Sequence, residues 1–156
     1  MSWTQKPDGA LEKVWHRPSA CARGKPPSAG VRHVPPTVRK VNLAEAFERI
    51  PAPWQPHVAG VVNGCAVKLA RFRGEFLWHQ HEHEDEMFLV VKGAFTMRLR
   101  DGDVHLKAGE LVVIPRGVEH MPVAEQEALV LLFEPRGTLN TGNIRDARTV
   151  ENPPTI

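Results

Sequence analysis

The apolar residues of this chain fall into short runs. From about Val58, stretches rich in Val, Leu and Phe are separated by Gly, Asp-Gly or Pro-Arg-Gly. The runs at 60–63, 65–73, 75–81, 86–91, 94–100, 103–107, 111–114, 118–123 and 127–134 read as β-strands. Asp101-Gly102 lies between two alternating segments, a strong hairpin signal. Many short strands at this spacing predict an all-β sandwich or barrel over 58–135. Before it, "VNLAEAFERI" has a helical pattern in the segment 37–57. Asn42 caps it, Glu45 follows three residues on, and Leu43, Ala46, Phe47 and Ile50 share one face. Pro51 ends the helix, and "PAPWQPH" reads as a loop. Residues 136–156 are polar and loop-like.

Residues 1–36 carry Pro7, Pro18, Pro26, Pro27, Pro35 and Pro36 among several glycines. Prolines at this density break helices and ladders, so an extended, flexible arm is expected. Residues 1–40 hold eight Lys/Arg and two Asp/Glu, within a chain whose net charge is only +2. The charges are scattered, without aromatic interleaving or helical period. They predict a solvated tail rather than a nucleic-acid surface. No run approaches the roughly 18–20 residues of a membrane span, and no signal-peptide core stands at the start. Cys21 and Cys65 form no disulfide framework. The expected setting is cytoplasmic.

The chemistry gathers at "WHQHEHEDE", Trp78 to Glu86, which holds three of the eight histidines. On a helix, His79 and His81 would diverge. On a strand they share a face, ~7 Å apart along the backbone, and both rings can lean onto one ion. A turn after His81 returns Glu86 beside them. Glu86, Phe88 and Val90 then share a face of the next strand, and a carboxylate buried there needs a partner. His120, far along the chain in "GELVVIPRGVEH", is a candidate fourth donor. A solvated, histidine-rich loop is the competing reading, and His83 fits it. His81-x-His83 with Glu86 is a second, weaker register. By alternation, Phe76 and Trp78 point away from the histidine face.

Gly74 to Gly93, "GEFLWHQHEHEDEMFLVVKG", resembles the first cupin motif: His79-x-His81, four residues, Glu86, six residues, Gly93. "GELVVIPRGVEH" resembles the second: Gly109, five residues, Pro115-x-Gly117, two residues, His120. The resemblance spans about 58–135. It departs where Gly74 leaves four residues before His79, and where Ala124 stands in place of a frequent Asn. It implies a cupin double-stranded β-helix, or jelly-roll barrel, with Gly93 and Gly109 at tight turns. It also implies His79, His81, Glu86 and His120 as ligands of one divalent transition metal per chain (Fe, Mn, Ni, Co or Zn), with Glu86 the candidate catalytic group. Such proteins commonly form homodimers.

The chain contains no tyrosine. That removes the usual form of cupin thiol dioxygenases and sugar-nucleotide epimerases, which rely on one. A dioxygenase or isomerase acting on a small polar molecule is the first expectation. A non-catalytic metal- or ligand-binding sensor is the alternative. Lys68, Arg71, Arg73 and Arg98 lie on expected strands, and any of them facing inward would favour an anionic substrate. Cys65 reads as a small core residue.

Overall fold

The computed structural model describes residues 2–5, 11–14 and 38–156. The chain divides into two compact units, Met1–Arg32 and His33–Ile156. In the first, β1 (Ser2–Gln5) pairs antiparallel with β2 (Leu11–Val14). The rest of the arm expected over 1–36 lies outside the described residues, as does Cys21.

The second unit opens with α1 (Leu43–Glu48). The Asn42 carboxamide oxygen accepts from the Ala44 and Glu45 amides, and its nitrogen donates to Glu45 at 2.9 Å. This is the expected capping pair. Ala46, Phe47 and Ile50 bury against Leu69 and Ile156. Seven strands follow: β3 (His57–Val62), β4 (Cys65–Glu75), β5 (Glu86–Lys92), β6 (Ala94–Leu99), β7 (Val104–Lys107), β8 (Leu111–Ile114) and β9 (His120–Pro135). All their pairings are antiparallel, in the order β3-β4-β9-β5-β8, with β6 joining β7 to β9.

β9 holds the fold together. Its first four residues pair with β6, its later part pairs with β5, and its other edge pairs with β4. The sequence predicts two strands here, 118–123 and 127–134, but they are one. Phe72 pairs with Ala128 and Gly74 with Ala124, so Arg73 faces three residues, Glu125 to Glu127. All three are exposed. This polar bulge bends the strand without ending it, as bulges do. The interior is filled from inward positions by Ala70, Phe72, Phe88, Val90, Phe95, Met97, Val130 and Leu132. Among the described residues, the fold is an all-β jelly-roll barrel with one short helix outside it. No described helix is long and apolar enough to cross a membrane.

Candidate metal centre

The segment carrying His79 and His81 is not a strand, although the pattern predicts one over 75–81. It is extended backbone held by borrowed partners. His79 and His120 exchange both backbone hydrogen bonds, at 3.0 and 2.9 Å. The Gln80 amide donates to the Asn143 side-chain oxygen at 3.0 Å, and the Gln80 carbonyl accepts from the Asn143 amide at 3.0 Å. The His81 carbonyl accepts from Gly117 at 2.7 Å. These bonds hold the extended backbone, so both imidazoles still turn inward and are buried. The alternation fails one turn earlier. Phe76, expected outside, is buried edge-on against His79, with ring centroids 5.5 Å apart. The chain there is leaving β4 and has no ladder to hold a strict period of two. Trp78 does lie away from the cluster, under the Arg100 guanidinium at 3.7 Å.

His120 arrives by a tight turn. The Val118 amide donates to the Pro115 carbonyl at 3.2 Å, and Gly117 has φ 77. That is a type II turn, which requires a left-handed residue in its third position. The turn ends two residues before His120, at the first position of β9. Glu86 is the first residue of β5. Thus two strand ends and one extended segment bring His79, His81, Glu86 and His120 together, and all four are buried.

Their donor atoms all lie within 4.8 Å of one another. Two bonds of about 2.1 Å span at most ~4.2 Å across an ion, so small side-chain rotations complete the set. His79 Nδ1 faces the Leu77 carbonyl at 3.0 Å and His120 Nδ1 faces the Val118 carbonyl at 2.9 Å. As donors there, they leave each Nε2 free as a ligand, the arrangement that orients metal-binding histidines. His120 Nε2 is fully buried without a hydrogen-bond partner, 3.6 Å from Glu86 Oε2. His81 Nε2 is 3.1 Å from the same oxygen. An orphaned imidazole nitrogen aimed at a buried carboxylate fits a cation between them. The residues present therefore suit a divalent transition metal.

Electrostatics agree with this. Burial alone would raise Glu86, but the contacts of His120 and His81 outweigh it and hold its pKa at about 2. Burial, then the neighbouring His120, push His79 down from 6.5 to about 4. His79 is therefore neutral and ready to bind at pH 7. In the metal-free protein, an unfolded chain takes a proton on His79 below pH 6.5, and the folded chain resists until about 4. Stability conferred by this group is complete above 6.5 and declines as pH falls to 4, by on the order of 3 kcal/mol. Glu86 adds a second loss between 4.5 and about 2. Urea melts of the metal-free protein from pH 7.5 to 4 check the first decline.

Beneath Glu86 lies a second buried pair. Lys68 Nζ is 2.7 Å from Glu134 Oε1 and donates to the Thr138 carbonyl at 2.8 Å. By register, Glu134 stands opposite Glu86 on the neighbouring strand. Burial, and then the Glu86 charge, push Glu134 well above the usual carboxylate range. Of the four basic candidates, only Lys68 faces inward. Arg71 is held by Glu127 and the Ile50 carbonyl, Arg98 pairs with Glu75, and Arg73 is exposed. His83 and His105 are exposed, His57 begins β3, and Cys65 is buried at the start of β4. None of these joins the cluster.

The C-terminal segment does more than the loop its polarity predicts. Besides Asn143, Gly142 presses on the Gln80 carbonyl at φ 52, with no room for a Cβ. Arg148 donates to the Phe76 carbonyl at 3.1 Å. Residues 142–148 thus brace the His79–His81 segment from outside. Asn143→Ala is expected to weaken metal binding by about 10-fold, as loss of supporting groups typically does, with little change in far-UV circular dichroism. A chelator competition titration measures it.

A small cavity of about 30 Å³ opens on the cluster, lined by His79, Glu86, Asn140 and a group of aromatic residues that includes Trp54, Phe72 and Phe76. Neither Trp54 nor Asn140 carries a signal in the sequence, since both come from irregular loops.

A jelly-roll barrel gathering three histidines and one carboxylate in its interior defines a class of protein. The family model described as "Cupin domain" matches residues 69–134. A cupin-2 domain containing protein from Shewanella frigidimarina is 40% identical, with a TM-score of 0.60, and the match covers 62% of this chain and 94% of that one. Protein NMB1881 from Neisseria meningitidis is 28% identical, with a TM-score of 0.57, over 62% and 99% of the two chains. The uncharacterized protein YdbB of Bacillus subtilis is 40% identical over 60 residues, which is 38% of this chain and 53% of that protein. The chain thus matches about half the length of that curated relative. The chain belongs to the cupin superfamily.

Proposed function

We propose that the protein is a small metal-dependent enzyme, of the dioxygenase or isomerase type, that holds a small molecule against a centre of three histidines and one glutamate. The observation that carries this reading is the convergence of four buried donors on one point, with a cavity reaching two of them, His79 and Glu86. A bound divalent ion would supply Lewis-acid polarisation of a ligand oxygen or, if redox-active, oxygen chemistry. The donor types suit Fe, Mn, Ni, Co and Zn alike. His79 and His120, each fixed by its backbone acceptor, turn Nε2 toward the site. Glu86, held at about 2, is a weak base. Its first part is to bring negative charge to the site and to touch the reacting ligand at the cavity wall.

The tight cavity favours a second reading, a binding or sensor protein without turnover. The two readings part on whether the metal keeps an open position. With Mn(II) loaded, an enzyme keeps exchangeable water and enhances water-proton relaxation. A manganese ion without exchangeable water would contradict the enzyme and favour the sensor. Metal content is measured on the same sample.

We also propose a homodimer through the outer sheet face, in a cytoplasmic setting. Val113, Met87 and Phe133 form a cross-strand apolar row, as do Leu111, Leu89 and Leu131. Leu111 and Val113 are 56% and 53% exposed. Light scattering of the full chain should give twice the monomer mass.

A further inference from the structure

We propose that the site takes a ligand with a flat apolar body and a metal-seeking oxygen group, and that Trp54 sets how large a body it admits. This rests on the metal-site reading above. It differs from the small polar molecule that the sequence predicts.

The cavity wall decides the ligand's character. Phe72, Phe76, Phe88 and Leu132 are apolar, and the polar lining is His79, Glu86 and Asn140. Two of those three belong to the donor cluster. No basic side chain lines the cavity. Lys68 is committed to Glu134, Arg71 to Glu127, Arg98 to Glu75, and Arg148 to Asp146 and the Phe76 carbonyl. A carboxylate or phosphate entering here would meet an apolar wall with no side-chain cation, so only the metal ion itself could balance its charge.

Size singles out Trp54. About 30 Å³ has room for a water or two, not for a ring. A wall must move to admit one. Phe72, Phe88 and Leu132 are fixed in paired strands. Trp54 stands in the loop between α1 and β3, half-buried, at φ 62. That is an uncommon backbone for a bulky residue, and such strain clusters at ligand clamps. It is held by its amide to the Arg71 carbonyl and its indole nitrogen to the Arg73 carbonyl, both at 2.9 Å. Its ring packs on Phe72 and Phe76, at 4.6 and 4.8 Å between centroids. An arriving flat ring can take over those same two faces as the indole swings out. The ligand then restores the aromatic packing that Trp54 gives up. An aliphatic ligand offers no such exchange.

The test uses the metal-loaded full chain, with loading verified by metal analysis. Acetohydroxamate, benzohydroxamate and 2-naphthohydroxamate share one metal-seeking group and differ in apolar body. Wild type should bind the benzo compound ~10-fold or more tightly than the aceto compound, from burial of the ring. Trp54→Ala should raise naphtho over benzo by about 10-fold and leave the aceto compound unchanged. Trp54→Phe should fall between them, and it stands in if the alanine variant does not fold. Equal affinity for aceto and benzo compounds in wild type would overturn the proposal. So would a Trp54 substitution that shifts all three equally. The metal-free protein gives an independent reading: Trp54→Ala should bind indole saturably by calorimetry, and wild type should not. Indole binding without hydroxamate binding upholds the pocket and faults the metal reading. No indole binding by the folded variant overturns the pocket.

Discussion

Replacing Lys68 with methionine should destabilise the protein by about 3–5 kcal/mol where Glu134 is ionised, the usual penalty for breaking a buried ion pair from one side. Lys68 and Glu134 are each about 3% exposed or less, and their charged atoms are 2.7 Å apart. Removing the ammonium leaves Glu134 facing Glu86 in an apolar barrel. One oxygen of Glu134 is already buried without a hydrogen-bond partner. The sign of the pH dependence follows from its raised pKa. The folded state holds the Glu134 proton more tightly than the unfolded chain does. Stability from this group is therefore greatest at low pH and is lost as pH rises from 4.5 through the folded value. Lys68 opposes that rise, so the Lys68→Met penalty should grow as pH rises through the folded value. The double variant Lys68→Met, Glu134→Leu should recover most of the loss, because apolar replacement of a whole pair is often neutral. Urea denaturation at several pH values measures all of this. A single-variant loss below ~1 kcal/mol would mean that the pair is solvated, since exposed pairs contribute that little.

Glu86→Gln should lower metal affinity by about 100-fold while keeping side-chain size, because an amide is a poor ligand for these ions. The effect shows in stability. An ion present at ~100 times its Kd stabilises the folded state by about 2.7 kcal/mol. At the same concentration the variant would be near its own Kd and gain only ~0.4 kcal/mol. Thermal melts with and without added metal read the difference. Equal metal-induced shifts in both proteins would remove Glu86 from the ligand set.

The strand pattern was legible where alternation and turn residues agree. β5, β6, β7 and β8 lie within a residue or so of their predicted bounds, and α1 begins at its predicted cap. The sequence errs where the sheet departs from a regular ladder. Glu125, Gln126 and Glu127 read as a break because a bulge and a turn expose the same polar residues. The His79–His81 segment reads as a strand because its inward alternation is real, yet its partners are a loop asparagine, a turn glycine and one residue of β9. The four donors were legible through the resemblance of the two motifs to those of cupins, since spacing by itself left a solvated loop and the His81-x-His83 register open. Lys68 and Glu134 were within reach as well. Each is in phase with inward apolar neighbours, Ala70 and Phe72 in one case, Val130 and Leu132 in the other. Trp54, Gly142 and Asn143 were not legible, because loops carry no period and their contacts are set only once the barrel closes.

Whether the four donors hold an ion decides the function proposed for the barrel. Metal content of the purified protein, measured by plasma mass spectrometry beside His120→Ala, tests this most directly. About one ion per chain in the wild type, lost in the variant, is the predicted result for a single closed donor set. No bound metal in the wild type after reloading with divalent ions would contradict it. So would metal retained undiminished in the variant.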